Sequence, residues 1–197
     1  MDRLATRREL MAGAAGAVGI AAGIGADRAL ADTPPPSDVD LLSKTLEVER
    51  LMVYAYERVL ASGALSPGFQ RVIAPFLGQE RAHVSAVAAA LTRLGAPAPT
   101  DPLSLKQASD LLGQHSVSGS LTGLHSQDAC LKLLVDLESV AEGASYTPIR
   151  DLRRPDLVHM CAQIMACEAQ HWTVLSGLRN PGEYIKAVPW PYVFGTK

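Results

Sequence analysis

Apolar residues along the chain recur at helical spacing, and no segment alternates with the period of two that marks a half-buried strand. Leu41, Leu42, Thr45, Leu46, Met52, Val53, Tyr56 and Leu60 fall on one stripe. Ser37 precedes it as an N-cap, with Asp40 three residues on, a pairing that satisfies free N–H groups of a first turn. Gly63 stops that helix. Ser66-Pro67 opens a second, because proline at the first helical position gives up an N–H that would have no partner there. Its stripe is Val72, Ile73, Phe76, Val84, Val87, Leu91 and Leu94, with Pro75 either kinking it or marking its true start. The run from Gly95 to Thr100 ends it. Residues 101–125 are mixed: Leu103–Leu112 reads as a short helix and GQHSVSGSLTG as loop. Ser126 opens a third long helix with Leu131, Leu134, Val135 and Ala141 on its core face, and Tyr146-Thr147-Pro148 ends or bends it. Pro155 opens a fourth, carrying Leu157, Cys161, Ile164, Leu175 and Leu178 at steps of four and three, as far as Asn180-Pro181-Gly182. The expected fold is all-α: a four-helix bundle of two antiparallel hairpins joined by a long crossover.

The ends of the chain read differently. Arg3, Arg7 and Arg8 precede a weakly apolar Gly/Ala stretch, Met11–Ala26, and Ala29-Leu30-Ala31 has the small-x-small pattern of a cleavage site. Residues 1–31 are therefore expected to be an export signal, too short and Gly-rich in its apolar part to span a bilayer well. Thr6-Arg7-Arg8-Glu9-Leu10-Met11 resembles the twin-arginine motif, with Leu10 where Phe is commoner. An ordinary signal or an uncleaved anchor is the alternative. The expected destination is the periplasm, cell envelope or exterior. Residues 32–37 form a Pro-rich linker, 38–180 the bundle, and 181–197 an extended tail whose VPWPYVFG would pack over it.

Composition narrows the partners. The chain has 197 residues, 48% hydrophobic and 19% charged, which suits one domain with a sizeable core. Its net charge of −2, without like-charge runs, speaks against nucleic acid or an anionic membrane surface. Cys130, Cys161 and Cys167 have no C-x-x-C spacing, which argues against a disulfide scaffold or a zinc ribbon. Nothing in the composition decides for or against a homo-oligomer.

The informative residues are acids in the wrong place. A carboxylate on a core stripe is costly unless paired or bound to metal. Glu49 lies on the apolar face of the first helix, whereas Glu47, Arg50, Tyr54, Glu57 and Arg58 share the expected wet face. Glu80 and His83 fill the steps between Phe76 and Val87. Glu138 follows Leu134 and Val135, and Glu168 and His171 complete the ladder of the fourth helix. The trio Glu49, Glu80, His83 repeats as Glu138, Glu168, His171 at shifts of 89, 88 and 88 residues. Nine glutamates and five histidines placed at random yield only about 0.2 Glu-x-x-His pairs. Four carboxylates and two imidazoles suffice for two ions with bridging carboxylates. Hard oxygens with one imidazole per ion suit iron or manganese better than a thiolate-type zinc site. Glu142, one turn beyond Glu138, is the alternative at that position. Tyr54, Tyr56, Tyr146 and Trp172 stand near enough in sequence to donate hydrogen bonds to the ligands or to relay electrons, although packing aromatics look the same. Cys167 reads as a small core residue, and His115, His125 and His159 as loop or surface histidines.

This arrangement resembles the ferritin-like superfamily of di-iron or di-manganese carboxylate bundles, in which each hairpin gives a Glu and a Glu-x-x-His. EVERLMVYAYERVLASG with QERAHVSAVAAALTRLG is similar to the exported bacterial ferritin-like domain proteins, over roughly residues 38–180. The resemblance implies that Glu49, Glu80, His83, Glu138, Glu168 and His171 are metal ligands, with Glu80 or Glu138 as a bridge. It implies a dinuclear iron or manganese centre that handles dioxygen or peroxide, or a ferroxidase-type reaction. His171 points away from a storage cage, since storage ferritins usually lack a histidine on the fourth helix. The alternative is a structural or stress-related envelope protein with a degenerate site.

Overall fold

A computed structural model describes residues 36–187. The expected signal in residues 1–31, most of the linker and the apolar Val188–Gly195 lie outside the described residues. Among the described residues the secondary structure is all helical: α1 Asp38–Ala61, α2 Pro67–Arg93, α3 Leu105–Gln114, α4 Gln127–Asp151, α5 Pro155–Arg179 and a 3-10 turn, Tyr184–Ala187. The segment after Gly182, expected to be extended, thus begins with a helical turn that packs on α5.

Short polar signals start the helices. The Ser37 Oγ accepts the Asp40 N–H at 3.1 Å while the Ser37 N–H donates to the Asp40 carboxylate at 3.0 Å. This reciprocal cap satisfies two donors that the helix itself cannot. Asp38 accepts the Arg153 N–H at 3.1 Å and ties the start of α1 to the α4–α5 turn. Ser126 caps α4 through the Ala129 N–H at 3.2 Å.

Neither internal proline ends its helix. α2 runs unbroken through Pro75, and α4 continues through Pro148 to Asp151. A proline removes one N–H and orphans the carbonyl four residues earlier. For Pro148 that carbonyl is Ala144's, and the Thr45 hydroxyl of α1 approaches it at 3.5 Å while also donating to Leu41 at 3.2 Å. For Pro75 it is Arg71's, on an exposed residue, where water can serve.

α1 packs on α2 and α4 on α5, α1 and α4 join the two hairpins, and α2 meets α5 over a shorter stretch. The crossover is more than a tether. α3 carries its own reciprocal cap, Ser104 with Gln107, and Leu103, Ala108, Leu112, Leu121 and Leu124 are buried. Gly119 comes so close to α4 that a Cβ there would stand 2.6 Å from Leu133 Cδ1. The crossover also corrects the expected wet face of α1: Arg50 lies half-buried beneath it and donates to the Asp101 carbonyl at 2.7 Å. Val72, expected in the core, is exposed.

Buried apolar residues form two clusters. One holds Met52, Tyr56, Ile73, Leu134, Leu137 and Leu175, among others; the second holds Leu42, Leu46, Val87, Leu91, Leu157 and Ile164. Along α2 and α5 the Glu-x-x-His pairs fall in the gap between them.

Candidate metal centre

Helical spacing places Glu80 with His83 and Glu168 with His171 on single faces, since residues three apart are neighbours on a helix. Each face points inward because the apolar residues on either side of it do. Glu49 and Glu138 arrive from α1 and α4, the two helices that join the hairpins. All four glutamates are fully buried, His171 nearly so, and His83 is partly exposed. The structure brings all six residues together.

Their donor atoms sort into two groups. Glu49, Glu80, His83 and Glu168 form one; Glu80, Glu138, Glu168 and His171 form the other, and within each the ligand atoms lie within 4.8 Å of one another. Glu80 and Glu168 belong to both, Glu49 and Glu138 to one each. Of the two expected bridges, Glu80 is common to both groups and Glu138 belongs to one.

Each imidazole turns Nδ1 toward the acids. His83 Nδ1 is 2.9 Å from Glu168, 3.4 Å from Glu49 and 3.6 Å from Glu80. His171 Nδ1 is 2.9 Å from Glu80, 3.2 Å from Glu168 and 3.6 Å from Glu138. Several of these contacts are close enough for charge attraction yet off any N–H axis. Both oxygens of Glu49 and of Glu80, one each of Glu138 and Glu168, and His83 Nδ1 have no hydrogen-bond partner among the described residues. A buried polar atom without a partner is costly. Oxygens that converge without donors are what a hard divalent cation requires, and this donor set fits one.

The electrostatics follow from burial. Loss of solvent pushes the Glu49 carboxyl up to about 8 against the pull of His83, and raises Glu138 well above the carboxylate range, with the Glu168 charge adding to it. Burial acts upward on Glu168 too, but the adjacent His171 and His83 imidazoles hold it at about 2. Burial would lower both histidines. Close contact with Cys167 and with the surrounding acids outweighs it and raises them. Protons thus stand in for positive charge among these acids.

The surrounding residues divide unevenly. The Tyr56 hydroxyl, buried under α1, donates to Glu138 Oε1. Glu142 is half-buried one turn along α4 and outside both groups; burial and then the Glu168 charge raise its carboxyl. Tyr146, expected beside the ligands, is exposed, because α4 continues through Pro148 and turns that position outward. His115, His125 and His159 are exposed, as expected. Two contacts went unread in the sequence. Gln79 Oε1 accepts from His171 Nε2 at 2.6 Å, and Cys167 Sγ lies 3.5 Å from the same nitrogen. The imidazoles lower the Cys167 thiol to about 7, His171 contributing most, whereas burial lifts Cys161 to about 12. The available signal was positional: each residue directly precedes the Glu of a Glu-x-x-His.

A cavity of about 350 Å³ lies elsewhere, between α1, α2 and the crossover. Arg50, Tyr54, Glu57, Arg81 and Asp101 line it, and none of the six clustered residues does.

The profile of the ferritin-like domain matches residues 37–181. A solved structure, that of a conserved hypothetical protein, rv2844, from Mycobacterium tuberculosis, superposes with a TM-score of 0.61 at 19% identity, covering 79% of this chain and 93% of that one. At that identity the likeness speaks to the fold alone. No curated protein matches the sequence.

Proposed function

The chain belongs to the ferritin-like domain family, and from that premise we propose that it holds a dinuclear iron or manganese centre used in redox chemistry with dioxygen or peroxide. One observation carries the reading: two four-residue donor groups share Glu80 and Glu168, and most of their buried carboxylate oxygens converge without a hydrogen-bond donor among the described residues. Glu49 and His83 would hold one ion, Glu138 and His171 the other, with Glu80 and Glu168 between them.

Bound there, a pair of such ions supplies two-electron exchange with dioxygen or peroxide. The protein's part is separable. The four carboxylates offset the cation charge. The apolar clusters on either side exclude bulk water and strengthen every charge interaction within the layer. The Tyr56 hydroxyl holds Glu138 in place and carries a proton at the edge of the site. Loading displaces protons, because Glu49, Glu138 and the imidazoles hold theirs tightly in the metal-free chain. The test is anaerobic loading with Fe(II) or Mn(II), followed by air or peroxide. A new visible absorption with consumption of about one oxidant per two metals supports redox use. Loaded protein inert to both oxidants reduces the centre to metal binding.

The reading extends to export. Arg7-Arg8, the Gly/Ala stretch and Ala29-Leu30-Ala31 support a twin-arginine leader that carries the folded, loaded chain across a membrane. Substituting Lys for both Arg7 and Arg8 should retain the chain on the side of synthesis; unchanged export would refute the route.

A further inference from the structure

The hairpins repeat more than their ligands. The same shift of 88 or 89 residues maps Tyr56 onto Ser145, Phe76 onto Ile164 and Gln79 onto Cys167. The first-hairpin member of each pair reaches across to the second hairpin's ligands. Tyr56 donates to Glu138. Gln79 accepts from His171 Nε2 at 2.6 Å. Phe76 stacks on the His171 ring, 4.2 Å between centroids and 23° between planes.

The counterparts do not return the favour. Ser145 is fully buried, too short to replace a tyrosine, and its hydroxyl has no partner among the described residues. Neither oxygen of Glu49 receives a hydrogen bond. Ile164 has no ring to stack. Cys167 gives the imidazoles a weak thiol shared between them, where Gln79 gives a directed amide oxygen. The His83 side chain is 12% exposed and that of His171 is 2%.

Resting on the dinuclear reading, we propose that the two metal positions are unequal. Glu138 and His171 form a preorganised position, held by Tyr56, Gln79 and Phe76, that fills first and tightly. Glu49 and His83 form the exchangeable position, which small exogenous ligands reach. A residue that hydrogen-bonds the outer nitrogen of a metal-bound imidazole fixes its tautomer and ring angle, and losing one typically costs about 10–100-fold in affinity. Gln79 and Tyr56 are thus positioning residues, and their absence on the Glu49 side weakens that position.

The experiment is an anaerobic Mn(II) titration of the full metal-free chain, read by electron paramagnetic resonance. The first equivalent should give an isolated-ion spectrum, and the second, bound about 10–100-fold more weakly, an exchange-coupled one. The pair Tyr56→Phe, Gln79→Leu should weaken the first step and narrow the gap. Gln79→Glu, which keeps an acceptor on His171, should preserve it, and Ser145→Ala should leave the first step unchanged. Two equal affinities in the wild type, or a Tyr56→Phe, Gln79→Leu chain that keeps its tight first step while it melts normally, would overturn the inequality and leave the dinuclear reading standing. A chain that binds no Mn(II) would overturn both.

Discussion

The ionisable layer, apart from the partly exposed His83, is as buried as the apolar clusters on either side of it and built by opposite rules. In the clusters, Leu42, Leu91, Leu134 and Leu157 fill space with atoms that ask nothing of their neighbours. In the layer, four acids and two imidazoles occupy positions that leucine would fill at lower cost, and several of their atoms have no partner. The clusters hold the helices at a fixed spacing. The layer uses that spacing at the expense of stability, as expected where a site binds charge.

The sharpest way to break the comparison is Glu80→Ala with His83→Ala. It should abolish binding of both ions, since Glu80 belongs to both groups, while the metal-free chain stays folded. Metal content after desalting, beside a circular-dichroism melt, reads both. Leu134→Ala acts on the other region. It should cost about 2–5 kcal/mol through the cavity it leaves and lower the melting point with and without metal.

The next prediction concerns pH. Glu49 holds its proton to about 8 when folded against 4.5 unfolded, so its contribution is complete below 4.5 and is lost as pH rises through 8. Glu138, also raised, acts in the same sense. Glu168, at about 2, contributes above 4.5 and loses its contribution as pH falls toward 2. The metal-free chain should therefore melt at falling temperature as pH goes from about 5 to about 8. Glu49→Gln should flatten that slope, and a slope that survives it points to other groups. The smallest expected effect is Ser37→Ala: loss of the α1 cap should cost about 1 kcal/mol and leave metal content unchanged.

Much of the site was legible because a buried acid is a loud signal. Glu49, Glu80, Glu138 and Glu168 each interrupt an apolar stripe, and the repeat of hairpins doubles the signal. What stayed hidden depends on distance between helices. Glu80 and Glu168 share both groups only because α2 and α5 set them between Glu49 and Glu138. Gln79 and Cys167 break no stripe, so periodicity passes over them. Pro148 reads as a helix end or bend until Thr45 of α1 approaches the carbonyl it frees. The expected wet face of α1 holds at Glu47 and Arg58, which are exposed, and fails at Arg50, which the crossover covers from far along the chain.

The central claim is that this layer exists to hold two ions. Its most direct test is the metal content of the wild-type chain, loaded anaerobically with excess Fe(II) and desalted before analysis. The account predicts two ions per chain and a raised melting temperature. A chain that retains no iron, and melts at the same temperature with and without it, would contradict it.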